Sequence, residues 1–223
     1  MTLKEKIVDA AYELFGEKGY EKTSVAEIID RAGASKGGFY HHFKSKEEIL
    51  ETISFNYVDQ IQKHYEEILK DDKLSVVEKF MESFYRLNRL KVESVKDWDK
   101  IKNLYTFKDN HLVLMRMGDR FERETARYYH DLINQGVKEG IFQVAYPAEL
   151  AALWGREVIL FQQMARKALM DPAKDETVFF RTLQFNEHLI NQQLGFGSKV
   201  IELEPMGRAY LAAMKREMKG GSL

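Results

Sequence analysis

Residues 24–43 of the chain read SVAEIIDRAGASKGGFYHHF, and this stretch decides the fold. Ser24 and Glu27 stand three residues apart before an apolar run, which is the spacing of a capping box and predicts the start of a helix. Gly33 follows that run and suits the left-handed residue that ends a helix. Ser35 is then placed to cap a second short helix. Two helices joined by a tight glycine turn predict a helix-turn-helix.

The second helix of this pair, predicted over residues 36–42, has an unusual composition. Gly37 and Gly38 are adjacent where a helix would favour alanine, and each glycine costs roughly 1 kcal/mol in a helix interior. Missing side chains allow another surface to approach the backbone closely. Tyr40 and the two histidines that follow it add polar groups on flat rings. This helix is therefore predicted to contact another molecule.

The same region carries an excess of positive charge. Four cationic residues and no acid lie between Arg31 and Lys46, in a chain whose net charge is only −1. The four are Arg31, Lys36, Lys44 and Lys46. A local excess of one sign is typical of a surface that binds a polyanion. A solvated basic turn is the alternative, but the helix caps, glycines and rings in this order favour the polyanion.

This combination of residues resembles the DNA-binding domain of the TetR family of transcriptional regulators. The resemblance spans about Leu3 to about Leu50 and rests on TSV at 23–25 with Ile28, AGASKGGFYHHF at 32–43 and SKEE at 45–48. The family often has Val where Ala34 stands and Thr or Ala where Gly38 stands. The resemblance implies a three-helix head, a helical body with an effector cavity, and a four-helix dimer interface. It also implies a long connecting helix whose tilt passes the effector signal to the head.

From the pattern and the resemblance we predict a set of DNA-contacting residues. They are Thr23, Ser24, Ser35, Lys36, Gly37, Gly38, Tyr40, His41, His42 and Lys46. Lys46 is the strongest predicted phosphate contact, because it lies in the first turn of a helix that Ser45 and Glu48 are spaced to cap. Thr23 is also assigned to a phosphate, although a purely structural role as a cap is equally open for it.

The remaining contacts divide between phosphates and bases. Tyr40 and His41 are assigned to phosphates, which fix position on the duplex. Lys36 is predicted to reach base acceptors such as those of guanine. Gly37 and Gly38 permit close approach, and Gly38 also removes a side chain that would otherwise touch a base.

The composition predicts a helical protein of a reducing compartment. The 223 residues include three prolines and no cysteine, and 44% are hydrophobic, which is enough for a core. The N-terminus carries acids among its apolar residues, unlike a signal peptide. No apolar run approaches the roughly 18 residues of a membrane span. We therefore expect a cytoplasmic protein that does not enter a membrane.

Helical spacing of apolar residues predicts an all-α fold with two domains. Residues 1–46 are expected to form the three-helix helix-turn-helix domain, and residues 47–223 a larger helical domain for effector binding and dimerisation. Helices are predicted at about 3–18, 25–32, 36–42, 46–69, 76–96, 98–107, 119–138, 147–170, 176–194 and 205–219. The type of the segment 111–117 is left open by its pattern.

The middle helices are rich in aromatic residues. Following the resemblance, an effector cavity there would be lined by Phe84, Trp98, Tyr105, Phe121, Tyr128, Trp154 and Phe161. For any one of these rings, packing in the core is the more common role. The predicted effector is an unknown small molecule of apolar or aromatic character.

The helices predicted at 147–170 and 176–194 carry more apolar residues than one buried face requires. Such a pair often packs against its own copy across a two-fold axis. Candidate interface residues are Leu153, Val158, Phe161, Phe179, Leu183, Leu189 and Ile190. Deeper burial within one chain is the alternative. A homodimer also suits the head, because two symmetric helices read the two half-sites of a palindromic operator in double-stranded DNA.

The predicted function is a ligand-responsive, sequence-specific, DNA-binding transcriptional regulator. The resemblance implies a repressor that its effector releases from DNA, although an activator would use the same head. A protein-interaction module is a further alternative, against which the acid-free basic run argues. An enzyme is a third, but the sequence has no H-E-x-x-H, no di-iron E-x-x-H pair and no G-x-S-x-G. We therefore predict no catalytic residue, no metal ligand and no cofactor.

Overall fold

The computed structural model describes residues 1–93 and 111–220. In chain order the helices are α1 (Leu3–Lys18), α2 (Val25–Arg31), α3 (Lys36–His42), α4 (Lys46–Lys70), α5 (Val76–Glu93), α6 (His111–Lys138), α7 (Pro147–Met170), α8 (Pro172–Gln193) and α9 (Glu204–Gly220). The described residues contain no strand, and the all-α prediction is confirmed. The helix predicted at 98–107, with Trp98 and Tyr105, lies outside the described residues.

The helix-turn-helix forms at the predicted residues because its local signals agree. α2 begins with a capping box in which the Ser24 hydroxyl and the Glu27 carboxylate each accept a backbone N–H. Ser35 caps α3 by accepting the N–H of Gly38 at 3.0 Å. Gly33 takes a φ of 62° between the two helices, a conformation that favours glycine.

Two helices begin more than one residue away from their predicted starts. α6 runs without interruption from His111 to Lys138, so residues 111–117, whose secondary structure the pattern left open, are helical. α8 begins at Pro172 and not near Glu176. Proline in the first turn of a helix gives up no hydrogen bond, so Pro172 both ends α7 and starts α8.

The described residues form two compact units. The first unit contains residues 1–60 and 111–120, and the second contains residues 61–93 and 121–220. Both α4 and α6 contribute residues to each unit. The domain division placed between residues 46 and 47 stays a prediction.

The core of the first unit is built from α1, α2, α3 and the start of α4. Its buried side chains include Phe15, Ile28, Phe39 and Leu50, and Val113 of α6 packs against them. Phe39 is fully buried and fixes the rotation of α3 about its own axis. The opposite side of α3 is consequently exposed.

The second unit is held together by aromatic rings. α7 and α8 pack along each other, and α9 packs on α5, α7 and α8. The ring of Phe161 lies 4.6 Å from that of Phe84, 5.3 Å from Phe179 and 5.7 Å from Tyr210, measured between centroids. Four helices therefore each contribute one ring to this cluster.

Two polar side chains of α8 hold the segment that leads to α9. Asn191 accepts the N–H groups of Val200 and Ile201, both at 2.8 Å, and donates to the Ile201 carbonyl at 2.9 Å. Glu187 accepts the N–H of Leu203 at 2.8 Å. Both side chains are buried, so α9 docks through satisfied hydrogen bonds as well as apolar contacts.

Candidate functional site

The outward face of α3 is the candidate nucleic-acid interface. Lys36, Gly37, Tyr40 and His41 are all exposed, and their spacing of i, i+1, i+4 and i+5 puts them on one side of the helix. Phe39 anchors the other side in the core. The fold thus brings these four predicted contacts onto one surface.

The two adjacent glycines of α3 face different surroundings. A Cβ built on Gly37 has no heavy atom within 4 Å, so this position leaves an open surface. A Cβ on Gly38 would lie 3.1 Å from both Leu3 Cδ2 and Ser35 Oγ. α1 and the cap of α3 therefore lie close to Gly38, and a larger side chain there would require these neighbours to shift by a few tenths of an ångström. That Gly38 removes a base contact stays a prediction.

The remaining polar residues of the helix-turn-helix mainly stabilise their own helices. Ser24 is exposed, but its hydroxyl donates to Glu27 Oε2 at 2.7 Å within the capping box. The Ser35 hydroxyl accepts the N–H that caps α3. His42 is half-buried, with its ring 4.9 Å from that of His41. Ser35 and His42 lie at the two ends of α3, and Ser24 lies at the start of α2.

Thr23 has a structural role. It is 1% exposed, and its hydroxyl donates to the carbonyl oxygens of Gly19 at 2.8 Å and Leu14 at 3.3 Å. The predicted phosphate contact by this hydroxyl is therefore wrong, and the structural alternative describes it. Thr23 joins the end of α1 to the loop that precedes α2.

Lys46 is engaged within the first unit. Its Nζ donates to the carbonyl oxygens of Tyr20 at 3.2 Å and Thr23 at 3.4 Å, and lies 4.3 Å from the centroid of the Tyr20 ring. The Tyr20 hydroxyl donates to Glu47 Oε1 at 2.8 Å. These contacts fasten the start of α4 to the loop between α1 and α2. The sequence pattern missed them because the partners are 26 residues apart.

The cap of α4 also differs from the prediction. The Ser45 hydroxyl accepts the N–H of Glu48 at 3.4 Å, as a capping box requires. The Glu48 carboxylate, however, accepts the N–H of Lys44 at 2.7 Å and not that of Ser45. Only half of the predicted capping box forms at this helix.

The positive charge of the region is smaller than the residue count indicates. Arg31 donates to both carboxylate oxygens of Glu17, at 2.9 and 3.0 Å, and these hydrogen bonds raise the pKa of Arg31. Lys36 and Lys44 are exposed and make no ion pair with any described residue. Lys46 contacts carbonyl oxygens and a ring but no carboxylate, so of the four cations only Arg31 is ion-paired within the part of the chain that the structure describes.

The capping carboxylate of α2 gives the first unit a defined acid sensitivity. Hydrogen bonds from Lys18 and then Ser24 lower the pKa of Glu27 from 4.5 to about 2. A carboxylate with a lowered pKa stabilises the folded state above its unfolded pKa, and this contribution is lost as pH falls through the folded pKa. We therefore expect the difference in unfolding free energy between the native chain and Glu27→Gln to shrink between about pH 4.5 and 2. Urea unfolding of both proteins at a series of pH values measures this difference in free energy. A difference that does not change with pH would contradict the lowered pKa of Glu27.

The described members of the predicted effector set are buried in the second unit. They are Phe84, Phe121, Tyr128, Trp154 and Phe161. Tyr128 stacks on Tyr65 at a centroid distance of 4.2 Å and donates its hydroxyl to the Lys79 carbonyl at 3.0 Å. Burial raises the pKa of the Tyr128 hydroxyl well above its usual range. These rings form core contacts, and their role toward an effector stays a prediction.

Two buried polar atoms of this core have no hydrogen-bond partner among the described residues. They are the indole nitrogen Nε1 of Trp154 on α7 and the hydroxyl Oγ1 of Thr125 on α6. Gly155 follows Trp154 and Ala126 follows Thr125, and these two neighbours are in contact, since a Cβ on Gly155 would lie 3.2 Å from Ala126. A buried unpaired donor costs about 1–3 kcal/mol. Both atoms are therefore candidate contacts for a polar atom of a bound molecule.

A crevice between α4 and α5 does not serve as an effector cavity in this conformation. It runs beside Tyr65, Ser83, Arg86 and Leu87 and has no room for a water molecule. None of the described members of the predicted effector set lines it.

The predicted dimer residues are mostly used inside the chain. Val158, Phe161, Phe179, Leu183 and Ile190 are buried in the second unit and cannot contact a partner, while Leu153 and Leu189 are half-buried. Helical spacing identified apolar positions but could not tell the inward face from the outward one. For these five buried residues the prediction is wrong.

The outward apolar residues of α7 and α8 are different ones. Leu160 is 40% exposed, Val178 is 53% exposed and Phe185 is 62% exposed. Val178 and Phe185 are seven residues apart and share one face of α8. The buried residues of α8, at positions 179, 183, 186 and 190, lie on a different face. This difference in spacing is present in the sequence, but the prediction did not use it.

No helix in the described parts of the chain has the length and apolar character needed to cross a bilayer. Among residues 1–93 and 111–220, no three or more His, Asp or Glu side chains are grouped so that they could hold a metal ion.

Known proteins share both the head and the wider fold. A family model described as bacterial regulatory proteins, tetR family, matches residues 7–53. The transcriptional repressor KstR2 of Mycolicibacterium smegmatis is 30% identical over 144 residues, which cover 63% of this chain and 67% of KstR2. The regulator QacR of Staphylococcus aureus is 26% identical over 63% of this chain and 73% of its own.

Solved structures extend the similarity of fold to nearly the whole chain. The SmeT–triclosan complex superposes with a TM-score of 0.60 and covers 99% of this chain and 91% of its own, at 16% identity. The matched segment 7–53 contains the helix-turn-helix and its exposed α3 face. The extent of the KstR2 match, together with this segment, shows that the chain belongs to the TetR family of bacterial transcriptional regulators.

Proposed function

We propose that this protein is a transcriptional repressor that binds a palindromic operator as a homodimer and releases it when a small effector binds in the second unit. The observation that carries the proposal is the outward face of α3, with Lys36, Tyr40 and His41 exposed around the open position of Gly37. KstR2, which is similar over most of its length, is itself named a repressor. We therefore favour repression of transcription over activation.

The outward face of α3 suits direct reading of a major groove. Lys36 can donate to base acceptors, and the open surface at Gly37 lets the helix backbone approach the base edges. Tyr40 and His41 extend from the same face and can donate to phosphate oxygens. Lys44 adds positive charge at the end of the helix. Ser24, Ser35 and His42 complete the proposed set of DNA contacts.

The homodimer is proposed to form through the outward apolar residues of α7 and α8. Leu160, Val178 and Phe185 are apolar side chains that are exposed on α7 and α8, and an interface between two copies would remove them from water. Half-buried Leu153 and Leu189 would complete the contact. Two copies of α3 related by a two-fold axis would then lie about one turn of B-form DNA apart, roughly 34–36 Å.

The effector is proposed to be a small molecule that is mainly apolar or aromatic and carries a hydrogen-bond acceptor. The aromatic side chains of the second unit supply the apolar surroundings, and the unpaired donors of Trp154 and Thr125 would each gain a partner from the acceptor. SmeT, which shares the fold, has been solved as a complex with triclosan. Binding of effector and operator must weaken each other by the same factor.

The test begins by selecting an operator from random DNA and measuring its affinity by fluorescence anisotropy. We expect Gly37→Val to weaken operator binding about 10- to 100-fold, because a branched side chain would stand between α3 and the base edges. The fold should be unaffected, since nothing lies within 4 Å of the new Cβ.

Gly118→Val on α6 is the matched control, because a Cβ at Gly118 also has no neighbour within 4 Å. This control should bind the operator as the native chain does. Equal affinities for the native chain, Gly37→Val and Gly118→Val would remove the outward face of α3 from the DNA interface. A screen of small molecules for release of the selected operator would then identify the effector.

A further inference from the structure

The last turn of α3 carries two adjacent histidines whose rings are in contact. The ring centroids of His41 and His42 lie 4.9 Å apart, with an angle of 71° between the ring planes. His41 is exposed on the outward face of α3, whereas His42 is half-buried. The two imidazoles form a histidine pair at the surface that is proposed to meet operator phosphates.

Histidine differs from the other titratable residue types on this face. Its ordinary pKa lies near 6.5, so an imidazole gains or loses its charge between about pH 5 and 8. Lysine and tyrosine, which the same face also carries, change charge only near pH 10. A change of charge on the outward face of α3 near neutral pH therefore comes from the histidine pair.

The contact between the rings makes a second proton harder to bind than the first. A centroid distance of 4.9 Å is shorter than the roughly 8 Å over which physiological salt screens a charge, so two imidazolium groups would repel each other. Groups that interact in this way titrate together, and the first proton belongs to the pair rather than to one ring.

Charged residues reach this end of α3 from two other elements. Lys4 of α1 lies with its Nζ 5.8 Å from the ring centroid of Phe43, which directly follows the histidine pair. Lys44 comes next and is exposed. Glu48 of α4 accepts the N–H of Lys44 at 2.7 Å. Two ammonium groups and one carboxylate thus lie beside the pair.

The other charged residues of α2 and of the start of α4 are engaged elsewhere. Each of four contacts α1 or the loop between α1 and α2, and they are Glu27, Arg31, Lys46 and Glu47. Asp30 and Lys36 lie next to the turn between α2 and α3, at the opposite end of α3. The exposed imidazole of His41 is therefore left open to an anion from outside the chain.

A DNA phosphate would supply that anion. A protonated imidazole donates a charge-assisted hydrogen bond to a phosphate oxygen, and the negative charge favours the protonated form. The complex would then hold more protons than the free protein. Binding that takes up protons is strongest at low pH and weakens as pH rises through the range in which the complex gives them up.

We propose that the histidine pair His41–His42 makes operator binding sensitive to pH, with each head taking up protons when it meets a phosphate. This inference rests on the proposed operator binding. The operator affinity is highest below about pH 6.5 and falls as pH rises toward 8. Proton concentration thereby controls occupancy of the operator separately from the effector.

Operator affinity at two pH values tests the proposal. Fluorescence anisotropy at pH 6 and pH 8, at one ionic strength, should show at least about tenfold weaker binding at pH 8, since a dimer carries two pairs and one pKa unit is a factor of ten. The double variant His41→Gln, His42→Gln should lose this pH dependence. His130→Gln is the matched control, because His130 lies on α6 in the second unit, and it should keep the native pH dependence.

The salt dependence of binding distinguishes a charge from a structural role. The slope of log affinity against log salt should be steeper at pH 6 than at pH 8 by roughly 1–2 for the two heads of the native dimer. His41→Lys places a permanent charge at an exposed position and should show the steeper slope at both pH values. Histidines with a structural role alone would leave the native slope the same at pH 6 and pH 8, which would overturn the proposal.

The proposed function and the histidine pair fail in different ways. Operator selection at both pH 6 and pH 8 that yields no bound sequence would refute the DNA-binding function itself. A selected operator that binds equally well at both pH values would refute the pH sensitivity alone. Survival of the native pH dependence in the double variant would assign the proton to another group and would also overturn the proposal.

Discussion

Phe185→Asp is expected to convert the proposed dimer to a monomer and to weaken operator binding about 100-fold or more. Phe185 is 62% exposed on α8 and would lie in the proposed interface with Leu160 and Val178. A carboxylate buried there without a partner opposes association, because it loses its hydration. The loss of affinity follows because the second head of a dimer binds at a high effective concentration, which a monomer lacks.

Sedimentation velocity and fluorescence anisotropy measure the two parts of this prediction. Thr177→Asp is the matched control, since Thr177 is exposed on α8 and the change in charge is the same. The control should stay dimeric and keep its affinity. A Phe185→Asp protein that still sediments as a dimer would show that the interface lies on another surface.

Asn191→Ala should have the largest effect on stability, a loss of about 4 kcal/mol in the free energy of unfolding. The substitution leaves the N–H groups of Val200 and Ile201 and the Ile201 carbonyl without their partner, in a segment where Ile201 is fully buried and Val200 half-buried. Each unsatisfied buried group costs about 1–3 kcal/mol. α9 loses its docking as a result, including the ring contact between Tyr210 and Phe161.

Urea unfolding followed by circular dichroism measures the loss, and hydrogen exchange locates it in residues 200–214. Gln192→Ala is the control, because its side chain is exposed and should change the stability by no more than about 0.5 kcal/mol. Equal stabilities of the two variants would mean that the α9 segment docks through apolar contacts alone.

The helix-turn-helix was predictable because its signals are local. Ser24 with Glu27, Gly33 and Ser35 each act within one helical turn, so their spacing fixes α2, the turn and α3 without reference to the rest of the chain. The same locality explains why Lys36, Gly37, Tyr40 and His41 all belong to the predicted DNA-contacting set, and the structure then places them on one exposed face.

Predictions failed where a residue's role depends on a distant partner. Thr23 reaches Leu14 and Gly19, so its hydroxyl is not available to a phosphate. Lys46 reaches Tyr20 across 26 residues, a contact that its position in the motif did not indicate, and its phosphate contact stays a prediction. Gly38 resembles Gly37 in sequence, but only Gly38 packs against Leu3. Contacts of this kind appear only when helices from separate parts of the chain are brought together.

The amino-acid sequence alone determined the all-α class, the helix-turn-helix and the family, because helical periodicity and capping are properties of neighbouring residues. The tertiary structure decided which face of each helix is buried. Phe161, Phe179 and Leu183 are buried in the core, whereas Phe185 is exposed. The tertiary structure also brings Arg120 and Asp59 together as an ion pair. The spacing of apolar residues in the sequence shows that a helix has an apolar face. Whether that face packs inside the chain or against a partner depends on the other helices, which lie far away in sequence.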